Sequence, residues 1–343
     1  MVFDARHLLE WTEELLTTWG YAPEDAAYVA ETLVDANLRG VDSHGVIRLP
    51  VYRARIDAGL VDPRAVPLAT TSGATIRIAA QGAPGQLAAR AALEQVDTLS
   101  SALGTASATV RGSAHFGTAG FYARELARRG KIALVVSNSE PIVVPFGGRS
   151  PLLGTNPFAF AAPTDGEPIS LDMATSTSAM GRVLIAQSRG ESIPADWGVD
   201  ADGHPTTDPA AVKALLPAGG AKGYGLGILV EILSGVLSGS AIAGGIGNMY
   251  ADFDRPQDVG HFMMALDVQR FLPLEEFRER MQGLIDAAHA VDPAPGSAGV
   301  LLPGEPEASL RRERLSSGID LPGPVCTELS RLGAEAGVAF PSP

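Results

Sequence analysis

Apolar residues in the first 60 positions recur at the three- and four-residue spacing of helices. Leu8, Leu9, Leu15, Leu16 and Trp19 mark one helix, with Gly20 as its stop. A second opens at Pro23, carries Glu24 and Asp25 near its positive end, and stops at Gly40. After Val41-Asp42-Ser43-His44-Gly45 a third runs to about Ala58, with Gly59 as its cap. From about residue 73 the pattern changes to strand-length apolar runs mixed with helical segments. Strands are expected at 106–110, 132–137, 158–162 and 262–268, and helices at 118–129, 176–189, 222–237 and 274–290. From Pro303 the pattern is helical again, with Pro324 opening the last helix. Segments 144–157 and 193–209, rich in Pro and Gly, are expected to be long loops of the kind that often carry function. No internal repeat or low-complexity tract occurs. The fold class is α/β, with helices at both ends of the chain.

Length and composition narrow the function classes. A chain of 343 residues, 45% hydrophobic and 19% charged, can bury a sizeable core and is not disordered as its main state. Its 39 acidic and 26 basic residues give a formal charge of -13, which repels a phosphate backbone, so no nucleic acid partner is expected. Only three of the basic residues are lysines, Lys131, Lys213 and Lys222. The single cysteine, Cys326, excludes an internal disulfide and a multi-cysteine metal site. No H-E-x-x-H spacing occurs, and Asp42 and His44 offer two ligand atoms with no third in view, so no metal is expected. Gly-x-Ser-x-Gly is absent, which leaves an α/β-hydrolase elbow without support. The longest apolar stretch, 225–239, is broken by Glu231 and too short for a membrane span. The N-terminus shows no secretory pattern, and a cytoplasmic protein is expected. Glu231 is either buried and paired or turned to water. His7, His204, His261 and His289 have no partner that spacing suggests.

Three short motifs carry candidate chemistry. In Asp42-Ser43-His44-Gly45-Val46-Ile47-Arg48, a helix starting at Ser43 or His44 would put His44 and Arg48 on one face. A guanidinium holds a carboxylate by a two-pronged pair while an imidazole moves a proton at the neighbouring carbon, and Ser43 could orient that imidazole. The alternative is a Ser43 helix cap, a surface His44 and an Arg48 paired with a nearby acid. Gly112-Ser113-Ala114-His115-Phe116-Gly117-Thr118-Ala119-Gly120 lies between a strand and a helix, where free amides favour a diphosphate. It lacks the G-x-G-x-x-G and P-loop spacings, and the alternative is an ordinary turn with a packed histidine. Gly219-Gly220-Ala221-Lys222-Gly223 leads into a helix and is either an anion contact or a flexible connector.

Together these motifs resemble the malate/L-lactate dehydrogenase family that has no Rossmann domain. The likeness runs from Arg39-Gly40-Val41-Asp42-Ser43-His44-Gly45 and Arg48 through Ser113-Ala114-His115-Phe116-Gly117, Pro145-Phe146-Gly147-Gly148 and Gly154-Thr155-Asn156-Pro157. It continues through Leu171-Asp172-Met173-Ala174-Thr175-Ser176, Pro205-Thr206-Thr207-Asp208-Pro209, Lys222-Gly223-Tyr224-Gly225-Leu226 and Leu302-Pro303-Gly304-Glu305, covering nearly the whole chain in order.

The resemblance implies a nicotinamide-dependent oxidoreductase acting at C2 of a small 2-hydroxy or 2-oxo acid of the malate, L-lactate or ureidoglycolate type. The cofactor would be NAD, with NADP the alternative, and the assembly a homodimer. It implies a helical domain built from residues 1–72 and 291–343, and a non-Rossmann α/β cofactor-binding domain over 73–290. His44 matches a catalytic proton donor with Ser43 beside it, Arg48 a contact to the substrate carboxylate, and Thr155 a substrate contact. His115 matches a residue assigned as catalytic base or cofactor contact. Cofactor contacts are implied at Phe116, Gly117, Thr118, Ser139, Asp172, Met173, Ala174, Thr175, Lys222, Gly223, Pro303, Gly304 and Glu305. The segments around Lys222 and Asn248-Met249-Tyr250 are similar to ureidoglycolate dehydrogenases. Reduction of a cyclic imine acid is an alternative within the family, and Met180 and Arg182 stand where its imine reductases carry His and Asp. A member that binds nucleotide with little turnover is the other alternative, motivated also by Ala221 where a histidine often precedes the family's lysine.

Overall fold

A computed structural model describes residues 1–343. Strand β1 (Val2–Phe3) precedes helices α1 (Ala5–Thr18), α2 (Pro23–Leu38) and α3 (Leu49–Asp57). Two 3-10 turns, Asp42–His44 and Val46–Arg48, join α2 to α3. Then come β2 (Leu68–Ser72), β3 (Thr75–Ala79), α4 (Gly85–Leu103), β4 (Thr105–Ser113), α5 (Ala119–Arg128) and β5 (Lys131–Ser137). They are followed by β6 (Phe158–Ala162), β7 (Ile169–Met173), α6 (Met180–Arg189), β8 (Gly198–Val199) and β9 (Ala214–Leu215). Helix α7 (Ala221–Glu231) continues as a π-helical turn, Ile232–Val236. The chain closes with β10 (Val259–Asp267), α8 (Leu274–His289), α9 (Glu305–Ser317), β11 (Ile319–Asp320) and α10 (Gly323–Ala336).

Seven strands form the main sheet in the order β2-β3-β4-β10-β5-β6-β7. Its only parallel contact joins β3 to β4, the pair connected through α4, and β10 runs antiparallel between β4 and β5. A dinucleotide fold of the Rossmann kind needs a mostly parallel sheet. This sheet is therefore α/β of another plan, as the missing glycine fingerprint suggests.

Two large apolar clusters lie behind the site. One joins α1, α2, α3 and α10, with Leu8, Leu15, Leu33, Leu49 and Leu329 all buried. The other fills the space between the sheet and helices α4 and α5, using small residues such as Ala88, Ala89, Ala92 and Ala123 against Ile76, Val110 and Val135. The π-helical turn lies on the opposite face, where β10 passes so close that a Cβ on Gly260 would stand 1.8 Å from the Ser234 carbonyl oxygen. No helix is long and apolar enough to cross a membrane.

The expected strands and helices at 106–110 through 274–290 each have a counterpart, with ends shifted by a few residues. The 19-residue helix α4 has no counterpart among the expected elements, although its alanine-rich face is regularly spaced and buried against the sheet. The third N-terminal helix differs too. It starts at Leu49, a few residues beyond the expected start after Gly45. The start at Ser43 or His44 that would align His44 with Arg48 does not occur, because Gly45 interrupts the preceding turns with extended backbone (φ -87°, ψ -153°). Pro50, which lacks an amide hydrogen and suits the first helical turn, marks that start in the sequence.

Candidate active site

His44 and Arg48 do not share a face of one helix; they sit on two short turns held by Asn37 from the end of α2. The Asn37 side chain donates to Asp42 Oδ1 at 2.7 Å and accepts the Val46 amide at 3.0 Å. Residue 45 has no room for a side chain, since a Cβ there would stand 2.1 Å from Asn37 Oδ1. Asp42 is further held by Arg314 of α9 at 2.8 Å, so its carboxylate has a structural partner. Ser43 Oγ lies 2.9 Å from His44 Nδ1, the orienting contact that the sequence suggests. Arg48 donates through Nε to the Ser43 carbonyl at 2.6 Å, and its guanidinium stands over the Tyr250 ring. It has no carboxylate partner in this chain; its Nη1 meets only the Met249 sulfur, at 3.9 Å, a weak acceptor that an incoming carboxylate would displace.

His115 is carried by the β4–α5 loop. Its backbone amide donates to Gln257 Oε1 at 3.1 Å, and the start of α4 packs so closely that a Cβ on Gly85 would meet the His115 carbonyl oxygen at 2.4 Å. Behind it, Phe116 stacks on His261 with ring centroids 4.1 Å apart. His261 is fully buried and bonded on both sides, its Nε2 to Ser113 Oγ (2.9 Å) and its Nδ1 to Ser137 Oγ (2.8 Å). The loop is therefore braced from the middle of the sheet.

These two units meet. The rings of His44 and His115 face each other at 5.3 Å between centroids. Tyr52 of α3 places its hydroxyl 2.7 Å from His115 Nδ1, and Gln86 donates to that hydroxyl at 3.0 Å. Burial, reinforced by the Arg48 charge, pushes His44 down to about 3, and the same two causes hold His115 well below the ordinary histidine value. At neutral pH the pair is uncharged beside a permanent cation. An uncharged imidazole pair beside a guanidinium has the chemistry to polarise, or exchange a proton with, an oxygen next to a carboxylate. An open space of about 300 Å³ adjoins His115 and Tyr52, with Gln86, Gln257 and Arg55 in its wall.

The remaining residues implied by the resemblance fall into two further groups. Ser139 Oγ accepts the Thr155 amide at 3.1 Å, Thr155 O accepts from Thr175, and Thr175 O accepts the Ala218 amide. This brings Ser139, Thr155 and Thr175 to the foot of α7, where Gly223 fits closely over Ala218 and Lys222 is exposed with no acidic partner. Glu140, next to Ser139, is near enough to act on Arg48. In the other group, Thr118, Asp172 and Gly304 line a small pocket open to solvent with Arg39, Arg124 and Ser170. Met173 and Ala174 lead from Asp172 to Thr175 at the end of β7, and Gly117 leads into Thr118. Pro303 O accepts the Ser170 amide, while Glu305 pairs with His289 at 2.9 Å and accepts the Leu302 amide.

One expectation about the α5 start needs correction. Its amides are not all free for a diphosphate, because Asp172 Oδ2 already accepts the Gly120 amide at 2.8 Å. Burial raises the Asp172 carboxyl, while that amide and Arg124 oppose the rise. Glu231 proves buried, bonded to Asn156 Nδ2 and the Ala243 amide, and supports the loop that carries Thr155.

The cavity beside Asp172 fits a polar ligand on the structure's own terms. Ser170 Oγ and Arg124 Nε line it, both buried and without a partner, and Gly304 (φ 93°) leaves room that a side chain would fill against Ser170. With Lys222 unpaired at the open N-terminus of α7, the donor set suits the sugars and phosphates of a dinucleotide.

Tyr52, Gln86 and Gln257 were not among the sequence candidates. Tyr52 had a signal, its four-residue spacing from Arg48, whereas Gln86 and Gln257 reach His115 only through tertiary packing.

Comparison with known proteins places the whole chain in a family. The model of the malate/L-lactate dehydrogenase family matches residues 3–330. The chain is 38% identical over 311 residues to the NAD(+) ureidoglycolate dehydrogenase of Escherichia coli O157:H7, spanning 90% of this chain and 89% of that one. It is 37% identical over 308 residues to the NADP(+) (2R)-3-sulfolactate dehydrogenase of Chromohalobacter salexigens, spanning 89% and 90%. The crystal structure of malate dehydrogenase from Entamoeba histolytica superposes with a TM-score of 0.94 at 29% identity, covering 100% of this chain and 99% of the other. Sequence and backbone agree along nearly the full length, and the chain belongs to the malate/L-lactate dehydrogenase family.

Proposed function

We propose that this protein is an NAD(P)-dependent dehydrogenase that interconverts a small 2-hydroxy acid and its 2-oxo acid. The observation that carries this is the uncharged His44–His115 pair set beside Arg48, a guanidinium with no carboxylate partner. Arg48 takes the substrate carboxylate in a two-pronged contact, which fixes C2 and its oxygen relative to the two imidazoles. His44 and His115 then hold or move the proton of the C2 oxygen, and Ser43 and Tyr52 orient their rings. Thr155, bonded to Ser139, offers a further substrate contact. A bound nicotinamide cofactor supplies or accepts the hydride at C2. Phe116, Gly117, Thr118, Ser139, Asp172, Met173, Ala174, Thr175, Lys222, Gly223, Pro303, Gly304 and Glu305 would hold that cofactor. Relatives specific for each nucleotide are similarly close, so the chain is assigned to both forms, with NAD preferred from the likeness to the ureidoglycolate enzyme.

The experiment is fluorescence titration with NADH and NADPH, followed by absorbance at the reduced-cofactor band with oxaloacetate, pyruvate, 3-sulfopyruvate, oxalurate and a cyclic imine acid. Oxidation with at least one 2-oxo acid is expected. Binding of cofactor without oxidation by any of them would contradict the enzyme.

A homodimer is the assembly that the surface favours. Leu226, Leu229, Ile232, Val236 and Leu237 form an exposed apolar stripe along α7 and its π-helical extension, 37% to 59% exposed. A stripe of this kind is covered in a stable protein. Light scattering is expected to give twice the chain mass of 35.5 kDa.

A further inference from the structure

The hydrogen bonds behind His115 have a direction. Gln86, buried in the first turn of α4, donates an amide hydrogen to the Tyr52 oxygen, and the backbone N–H of Gly117 points at His115 Nδ1 from 3.4 Å. A backbone N–H only donates, so Nδ1 meets it with a lone pair. With Gln86 donating to the phenolic oxygen, the phenol's own hydrogen is free for Nδ1, 2.7 Å away. Two donors converging on one ring nitrogen leave the ring hydrogen on Nε2. His44 is under no such constraint, because the Ser43 hydroxyl beside its Nδ1 can donate or accept.

We propose that Gln86, acting through Tyr52, is a positioning residue that holds His115 as the Nε2–H tautomer in the resting protein, and that the amide of Gln86 must turn over before His115 can offer Nε2 as a base. After the turn, Gln86 Oε1 accepts the Tyr52 hydroxyl, the Tyr52 oxygen accepts Nδ1–H, and Nε2 carries a lone pair, at the cost of the long 3.4 Å contact from the Gly117 N–H. The ring changes tautomer by gaining a solvent proton at Nδ1 and losing one at Nε2, so no net charge is created. Resting His115 thus donates a hydrogen bond to a C2 carbonyl oxygen, the state suited to a bound 2-oxo acid. This rests on the assignment of His115 to the proton machinery, but its test needs no substrate.

Other groups could set the ring's protonation. Those acting on it are Tyr52 from α3, Arg48 and His44 from the 3-10 turns, and His261 from β10. None is a carboxylate, so nothing in contact draws a proton onto Nδ1 except the Tyr52 oxygen.

The test is nitrogen-15 NMR of the full-length protein labelled at its six histidines, with His115→Asn assigning the His115 signals by their loss. In the wild-type protein at pH 7.5, about the pH of ordinary assays, Nδ1 is expected in the unprotonated range and Nε2 in the protonated range. Gln86→Leu frees the Tyr52 oxygen, so it should shift the tautomer ratio towards Nδ1–H by about fivefold, the worth of one hydrogen bond. It should also move the His115 titration midpoint upward. Tyr52→Phe removes the oxygen that would accept Nδ1–H and leaves the Gly117 N–H at Nδ1, so in this variant the Nε2–H tautomer should persist. A wild-type Nδ1–H tautomer would overturn the proposal, as would unchanged His115 signals in a folded Gln86→Leu protein. Inactivity towards every 2-oxo acid would contradict the enzyme reading and leave this result standing.

Discussion

Asn37 occupies the space where any side chain at residue 45 would stand, 2.1 Å from the position of a Cβ on Gly45. The same side chain bonds Asp42 and the Val46 amide, so one residue at the end of α2 sets the turns on either side of Gly45. Gly45→Ala must displace a buried amide or shift the turns that carry His44 and Arg48. It is expected to destabilise the protein by about 2–4 kcal/mol, the range for overpacking combined with a broken buried polar contact. Thermal unfolding of the variant, with cofactor affinity as a control on the rest of the chain, checks this.

Substitution of either imidazole separates chemistry from binding. His44→Ala and His115→Ala are each expected to lower kcat by roughly 10²–10⁴-fold, the usual share of a positioned acid or base. The dissociation constant for reduced cofactor should change little in His44→Ala. Normal turnover in His44→Ala would remove it from the proton path.

Arg48 is expected to act mainly on the acid. Arg48→Ala should raise KM for the 2-oxo acid by about 10–100-fold, the worth of a charged hydrogen-bonded contact. Arg48→Lys should recover only part of that loss, because an ammonium cannot reproduce the planar fork. Comparing KM with kcat in both variants distinguishes a carboxylate clamp from a residue that only supports the loop.

Stability should fall with acid across a defined window. Burial depresses His44 and His261 to about 3 in the folded protein, against an ordinary value of 6.5. Between those values the unfolded chain takes up protons that the folded chain refuses, so unfolding is favoured as pH drops below 6.5. Above 6.5 both states are neutral there and the contribution is complete. The slope from each group is at most about 1.4 kcal/mol per pH unit. Denaturant titrations from pH 8 to pH 4, roughly the span of this linkage, should show it for the wild type. A shallower slope is expected in His261→Asn if that variant folds, and in His44→Ala in any case.

Much of this organisation is legible in the sequence. The strands at 106–110, 132–137, 158–162 and 262–268 are visible because their apolar runs are short and bounded by turns, and each has its counterpart in the sheet. Their order is not visible, because β10 enters between β4 and β5 from 120 residues further along the chain and local pattern carries no trace of that pairing. In the site, the Ser43–His44–Arg48 cluster stands out by residue type, but its expected helical geometry is replaced by two turns because Asn37 supplies bonds that a helix would make internally. Tyr52 was within reach by its spacing from Arg48. Gln86 was not, since an alanine-rich helix start gives no sign that one of its side chains faces a histidine from another loop.

The most direct measurement is a crystal structure with oxidised nicotinamide cofactor and a substrate 2-hydroxy acid bound together. The acid's carboxylate should lie in the fork of Arg48, with the C2 oxygen within hydrogen-bond reach of His44 or His115. An acid seated elsewhere, with Arg48 and both imidazoles turned away from it, would contradict the assignment.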